Sequence, residues 1–446
     1  MSASSQVARS VACAVALVAC GPGTVVDAGV ESSTSADEST SFADSSSGGG
    51  SVAADSSSSD GGDGSTGNPA PGCEDPGECD ASCLQWELIR ERGTGVRIEQ
   101  VGITPTGTIL AVERREMDGE ESGGIVLLGF EPGGADLVRA SRRRRRARDG
   151  VVTGLDVAAD GKIAIVWTEN PSGVYEFRTT LDVRDADGSP LWNAQLGDGA
   201  TSVAGTAVVF ADDGTIIVVG DQPTAPATRI GFATAFGADG GLAWELVGAD
   251  LDLEAGRVTA IAAMSATDLV LAGSTGGGLW LGRVGLDTAE PEDALSSHHA
   301  RDIEMSIDGE IIVVGTEGDG PGYPASWLGR FGTDGSPLLS IAFEKEGEGS
   351  NELDSIEVTD EGRSFVAGLR SSVGGSYYRQ VLEVDCEANL AWQWLHDGAA
   401  PSYNVSGGGL ALGSRRRARD RWRGISHRCA AGIPRLVHAV SATILQ

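Results

Sequence analysis

Lysine is nearly missing from this chain: Lys162 and Lys345 are the only two, and arginine brings the positive charges to 33 against 64 aspartates and glutamates. The resulting formal net charge of −31 over 446 residues excludes nucleic acid and anionic lipid as partners of the chain as a whole. Arginine in place of lysine, with abundant Gly and Ala, points to a GC-rich gene, so composition partly reflects codons. Aromatic residues make up only 5%. Helical periodicity is absent throughout, which excludes a helical bundle. No G-x-S-x-G, H-E-x-x-H or phosphate-cradling glycine loop occurs, so no hydrolase triad, zinc protease or nucleotide site is legible. Neither a cofactor nor a metal is therefore expected.

What is present begins with "VACAVALVACGPG" at residues 11–23, behind a short polar start carrying Arg9. An apolar run of this kind falls short of the roughly 20 residues that span a bilayer and suits the h-region of a secretory signal. Leu17-Val18-Ala19-Cys20 resembles the lipobox of bacterial lipoproteins. That resemblance implies a signal peptide over residues 1–19, cleavage before Cys20 and acylation of its thiol, palmitate among the chains, with stable membrane anchoring. From Gly21 to Gly72 the chain turns to Ser, Gly, Asp and Thr, with eight acids and no Lys or Arg. Such a segment cannot bury enough apolar surface to offset its ordering entropy, so residues 20–72 are expected to be a disordered tether.

The decamers "ADDGTIIVVG" (211–220) and "SIDGEIIVVG" (306–315) are nearly the same, and four relatives accompany them: "TPTGTILAVE" (104–113), "AADGKIAIVW" (158–167), "MSATDLVLAG" (264–273) and "TDEGRSFVAG" (359–368). Their turn positions, 107, 161, 214, 267, 309 and 362, lie 54, 53, 53, 42 and 53 residues apart. Self-similarity at this period marks repeated supersecondary units, and the chemistry of each unit is β. In residues 151–200 an alternating stretch leads to Asp160-Gly161, a mostly apolar run, a third strand, a turn at Asp187-Gly188 and a fourth strand carrying Trp192. Asp-Gly supplies the positive φ of a tight hairpin turn. Four antiparallel strands per unit make the blade of a β-propeller, and the Val/Ile run, apolar on both faces, is the second strand. Trp192, Trp244 and Trp392 fall at equivalent places on fourth strands and read as packing between blades.

The fold class expected is all-β, a β-propeller of seven four-stranded blades over residues 83–446. "GGGLALGSRRR" (407–417) would begin the seventh, and "CLQWELIRERG" (83–93) would close the ring as its outer strand. The chain at this point resembles bacterial surface lipoproteins with β-propeller repeat domains, and is loosely similar to PQQ-like quinoprotein and WD-repeat propellers. Quinoprotein dehydrogenases hold their cofactor with adjacent cysteines, a pair this chain lacks.

Other candidates reduce to structure. His298-His299 reads as a solvated loop between blades, His396 as rim, and "RDADG" (184–188) as a turn, since it lacks the full Asp series of a calcium loop. "CEDPGECDASC" within residues 73–83 reads as a disulfide-stapled lead-in, with Cys73, Cys79, Cys83 and Cys386 as the bonding candidates in an oxidising envelope. The connectivity stays open among three pairings. The arginine run at 141–149 reads as a charged loop between blades, because the repeat resumes after it. After the run at 414–424 it never resumes, so residues 413–446 are atypical and suggest a frameshift, with a functional basic segment as the alternative.

The function expected is a lipid-anchored, non-catalytic binding or scaffold protein of the cell envelope, at the outer membrane or cell surface. It would meet the membrane through Cys20 and a protein or glycan through a propeller face. An envelope lyase or hydrolase at the channel mouth, and a purely structural protein, are the alternatives.

Overall fold

The computed structural model describes residues 11–19, 84–92, 96–413 apart from short connecting stretches, and 435–444. Each repeat unit becomes an antiparallel meander. Residues 96–143, 151–196, 204–247, 298–343 and 351–397 form four-stranded sheets, and 256–283 forms a three-stranded one. They are blades one to six in chain order, with 256–283 as blade four. The missing outer strand of blade four, among the described residues, accounts for the one short step of 42 in the repeat.

The expectation of seven four-stranded blades is thereby corrected to six blades, one of them three-stranded. The stretch expected to open a seventh contributes only Leu410–Gly413, which pairs with Arg435–Ile444. The sequence from Ser414 onward supplies neither an Asp-Gly pair nor a Val/Ile run like those of the repeated decamer. The outer-strand role of residues 83–93 is not reproduced either. Leu84–Arg92 lies at the edge of a separate five-stranded sheet, paired with Val11–Ala19, which in turn pairs with Arg435–Ile444. We call this the closing sheet; Leu410–Gly413 and Tyr403–Ser406 complete it.

The repeated decamer holds the second strand of every blade, as its composition predicts. In blade three, Ile216 and Val218 face blade two and pack with Ala164, Val166, Leu181 and Val183. Ile217 and Val219 face blade four and pack with Val258, Leu269 and Leu271. A strand with neighbours on both faces has no side to leave polar, and all four side chains are fully buried. Blades four and five share a core around Trp327, and blades five and six one around Val314 and Leu382. The hairpin turns fall where the Gly positions lie: Gly107, Gly161, Gly214, Gly309 and Gly362 all have φ between 80° and 90°.

The closing Gly of the decamer has a different cause. A Cβ on Gly220, Gly273, Gly315 or Gly368 would stand about 2 Å from a carbonyl oxygen of the first strand, those of Ala204, Arg257, His299 and Glu352 respectively. The approach is close because each first strand bulges there. Pairing slips at Glu99, Thr153, Thr206, Thr259, Arg301 and Asp354, one such position in each blade, at the same steps of 54, 53, 53, 42 and 53 as the turns, and blade four slips again at Met264. Such a bulge increases local twist and aims one residue differently from its neighbours.

Candidate functional site

The first strands surround a central channel of about 560 Å³ whose wall includes all six bulge residues. An edge strand leaves backbone N–H and C=O groups unpaired, and here side chains of one blade satisfy those of the next. Glu99 accepts the Val152 N–H at 2.6 Å, Asp156 the Phe210 N–H at 2.6 Å and Asp302 the Ile356 N–H at 2.9 Å. Thr206 donates to the Val258 carbonyl at 2.8 Å and Thr259 to that of Ala300 at 2.9 Å. All five junctions between consecutive blades thus carry a side-chain staple. Asp302 differs from the rest: burial pushes its carboxyl up to about 7, although the Ile356 and Ile303 amides both favour the charged form.

Two faces of the ring are built differently. On one, the acids of the tight turns are spent on their own backbone, as where Asp213 accepts the Thr215 N–H and Asp334 that of Ser336. The "RDADG" stretch lies here as the expected turn, with Gly188 at φ 80°.

On the other face, where first strands enter, charged side chains gather, and of those that follow Glu99, Arg114, Arg301 and Asp354 line the channel. Glu99 pairs with Arg114 at 3.2 Å. The Asp221 carboxylate, 2% exposed, is 2.6 Å from Arg229, and burial still holds it above the usual carboxylate range. Arg257 donates Nε to the Ser274 hydroxyl at 3.2 Å. Arg301 is the bulge residue of blade five and lies 4.0 Å from Glu352. Asp354 is taken by Arg379, 3.4 Å away, a wholly buried guanidinium whose Nε and Nη2 have no partner. Desolvation pulls Arg379 below its ordinary pKa.

The residues singled out from sequence fall mostly elsewhere. His298 and His299 begin the first strand of blade five, and His298 is buried, its ring 4.7 Å from that of Trp327 and edge-on to it. The expected solvated loop is corrected: the strand starts at His298, and Trp327 of the third strand covers its ring. Burial holds its pKa down. Trp192 packs against blade three as expected, its Nε1 donating to the Ala238 carbonyl at 3.0 Å. His396 lies on the fourth strand of blade six, and residues 141–143 of the first arginine run belong to the fourth strand of blade one. Cys20, Cys73, Cys79, Cys83, Cys386 and the arginine run at 414–424 lie outside the described residues. The bulge residues were missed, although Thr153, Thr206 and Thr259 recur at a spacing of 53.

No protein-family model matches the chain, and no curated protein does. Among solved structures it is similar to a Bacteroides caccae protein of unknown function, at 12% identity and TM-score 0.38, covering 70% of this chain and 86% of that one. The Hadza microbial sialidase Hz136 is similar at 10% identity and TM-score 0.42, over 63% and 67% of the two chains. The β-propeller domain of the Trilobed protease from Pyrococcus furiosus is similar at 10% identity and TM-score 0.39, over 71% and 89%. Likenesses this distant carry no argument about activity. The propeller architecture follows from the six sheets themselves.

Proposed function

We propose that this protein is a lipid-anchored β-propeller of the cell envelope that binds a ligand at its channel mouth without transforming it. The observation that carries the reading is where the repeat is broken. The turns and second strands keep to the repeated pattern, whereas charged residues replace the threonines at the bulge positions of blades one, five and six, around one mouth. The lipobox at Cys20 and the acidic tether to Gly72 support a ring held off a membrane, facing a partner of protein or glycan class.

Asp302 favours a second reading, an envelope hydrolase or lyase, because a channel carboxyl near 7 suits general acid–base work. Both its oxygens accept backbone N–H groups, however, so the staple role comes first. Two measurements test the proposal. Cys20→Ser should block processing and lipid labelling, and an unchanged labelled product overturns the anchor. Hydrogen exchange on the full-length protein, with envelope glycan and protein fractions added, should show protection around residues 97–99, 299–301 and 351–354. Protection elsewhere or none overturns the binding site.

A further inference from the structure

An outer strand packs on one face only, and such a strand keeps its solvent side polar as a rule. Two neighbouring outer strands do not. Leu191 of blade two is 45% exposed and Leu242 of blade three 63% exposed, each just past the tight turn that opens its strand. Leu191 falls at a bulge between Pro190 and Trp192, which sets it apart from the ladder. Trp192 joins the two strands. Its Nε1 donates to the Ala238 carbonyl at 3.0 Å, and its ring lies so close to Gly240 that a Cβ there would stand 2.8 Å from Cδ2. Its centroid is 6.1 Å from that of Phe236, the cross-strand partner of Leu242. Leu191, Trp192 and Leu242 therefore form one apolar strip across the junction of blades two and three, on the rim at the turn face. Leu338 and Leu390 are exposed on the outer strands of blades five and six, but among the described residues no second Trp bridges them to the next turn.

Acids frame the strip. Asp187 and Asp239 are exposed, and each accepts the amide two residues on, from Ser189 at 2.8 Å and Gly241 at 3.0 Å. Both carboxylates are thus fixed in the turns that lead into Leu191 and Leu242. The hydroxyl and amide of Ser189 hold the Asp187 carboxyl below the usual carboxylate range. Among the described residues no Lys or Arg pairs with either acid, and Lys162, the lysine of blade two, is engaged by Asp160 at 2.6 Å. An apolar strip edged with fixed negative charge repels anionic lipid and a second copy of a chain whose net charge is −31. It complements a segment that is apolar on one side and basic on the other.

We propose that this rim docks a cationic amphipathic segment of a partner protein, whose apolar side covers Leu191, Trp192 and Leu242 and whose Lys or Arg side chains meet Asp187 and Asp239. The surface lies at the turn face, away from the channel mouth, and does not depend on the ligand proposed there.

Fluorescence anisotropy of a labelled amphipathic helix of leucine and lysine, titrated with the full-length protein, tests it. Binding should saturate and weaken with added salt. Leu191→Ser combined with Leu242→Ser, both on exposed side chains that leave the core alone, should lower the affinity at least tenfold. Asp187→Asn combined with Asp239→Asn should lower it several-fold and flatten the salt dependence. Ile307→Ser, an exposed apolar residue in a turn of blade five, should bind as the parent does. Equal binding of a leucine–glutamate helix, or an affinity unchanged in the leucine pair, overturns the proposal. So does a salt dependence unchanged in the aspartate pair. Binding to phosphatidylcholine vesicles, or self-association in sedimentation, that the leucine pair abolishes would assign the strip to lipid or to a second copy and overturn it equally.

Discussion

Between blades two and three, Asp156 reaches across to the Phe210 amide while Ala164 and Val166 pack against Ile216 and Val218. Between blade six and blade one the chain offers Leu410–Gly413, Arg435–Ile444 and two strands from before the repeats, and of these Ala411 joins the core of blade one. The first arrangement recurs because one repeat unit specifies a blade, its bulge and its contact with the next blade together. The second uses residues that no repeat specifies. A repeat can therefore write every junction of a ring except the one between its own ends, and closure has to come from other sequence.

Four experiments sharpen or break this contrast. The largest effect is expected for Val313→Asp, which buries an unpaired charge in the second strand of blade five and should cost more than about 4 kcal/mol. Val437→Asp in the closing sheet should instead reduce protection only locally. If both abolish the cooperative unfolding transition alike, closing sheet and blades are energetically one unit.

The next effect concerns pH. Asp302 has its carboxyl raised from 3.8 to about 7, so between these values the folded chain holds a proton that the unfolded chain has released. Stability contributed there falls as pH rises through the window, by roughly 3–4 kcal/mol in all. Denaturant titrations from pH 4 to 7 should show this slope, and Asp302→Asn should flatten it; an unaltered slope places its origin elsewhere.

Two glycines of one decamer give the third test. A Cβ on Gly220 would lie 2.1 Å from the Ala204 carbonyl oxygen, whereas at Gly214 it would meet nothing within 4 Å. Gly220→Ala should cost about 3 kcal/mol by forcing the bulge open, and Gly214→Ala only about 1 kcal/mol for its positive φ. Equal costs would show that turn geometry and not the bulge dictates both positions.

The staples come last. Asp156→Ala strands the Phe210 N–H and should cost about 2 kcal/mol, while Thr259→Val removes a neutral hydrogen bond and should cost about 1 kcal/mol. Chemical denaturation of the two variants decides, and stability equal to the parent in both would leave packing alone in charge of the junctions.

Legibility in the sequence follows the same division. Second strands could be read because burial on both faces allows only apolar residues, and turns because Gly214 or Gly309 must take positive φ. First strands stayed obscure: their backbone edge faces the channel, and Glu99, Thr206 and Arg301 share a place while sharing no chemistry. His298 was misjudged because only the third strand, through Trp327, determines its burial. The seventh blade was inferred from spacing carried past the last turn, where Leu410–Gly413 kept the period but lacked the residues that make a hairpin.

The closing sheet gives the proposed export a direct mechanical meaning. Val11–Ala19 stands between Leu84–Arg92 and Arg435–Ile444, and these nine residues also belong to the apolar run expected to act as an export signal. If processing before Cys20 takes place, the two flanking strands lose the partner that joins them, and the precursor and the mature protein close their rings by different pairings. On that reading the run acts as a temporary stave, and its removal would date the final shape of the molecule to the far side of the membrane. Hydrogen exchange over residues 435–444 would tell the two forms apart, slow in an unprocessed Cys20→Ser chain and faster, or protected through a new pairing with 84–92, in the mature one.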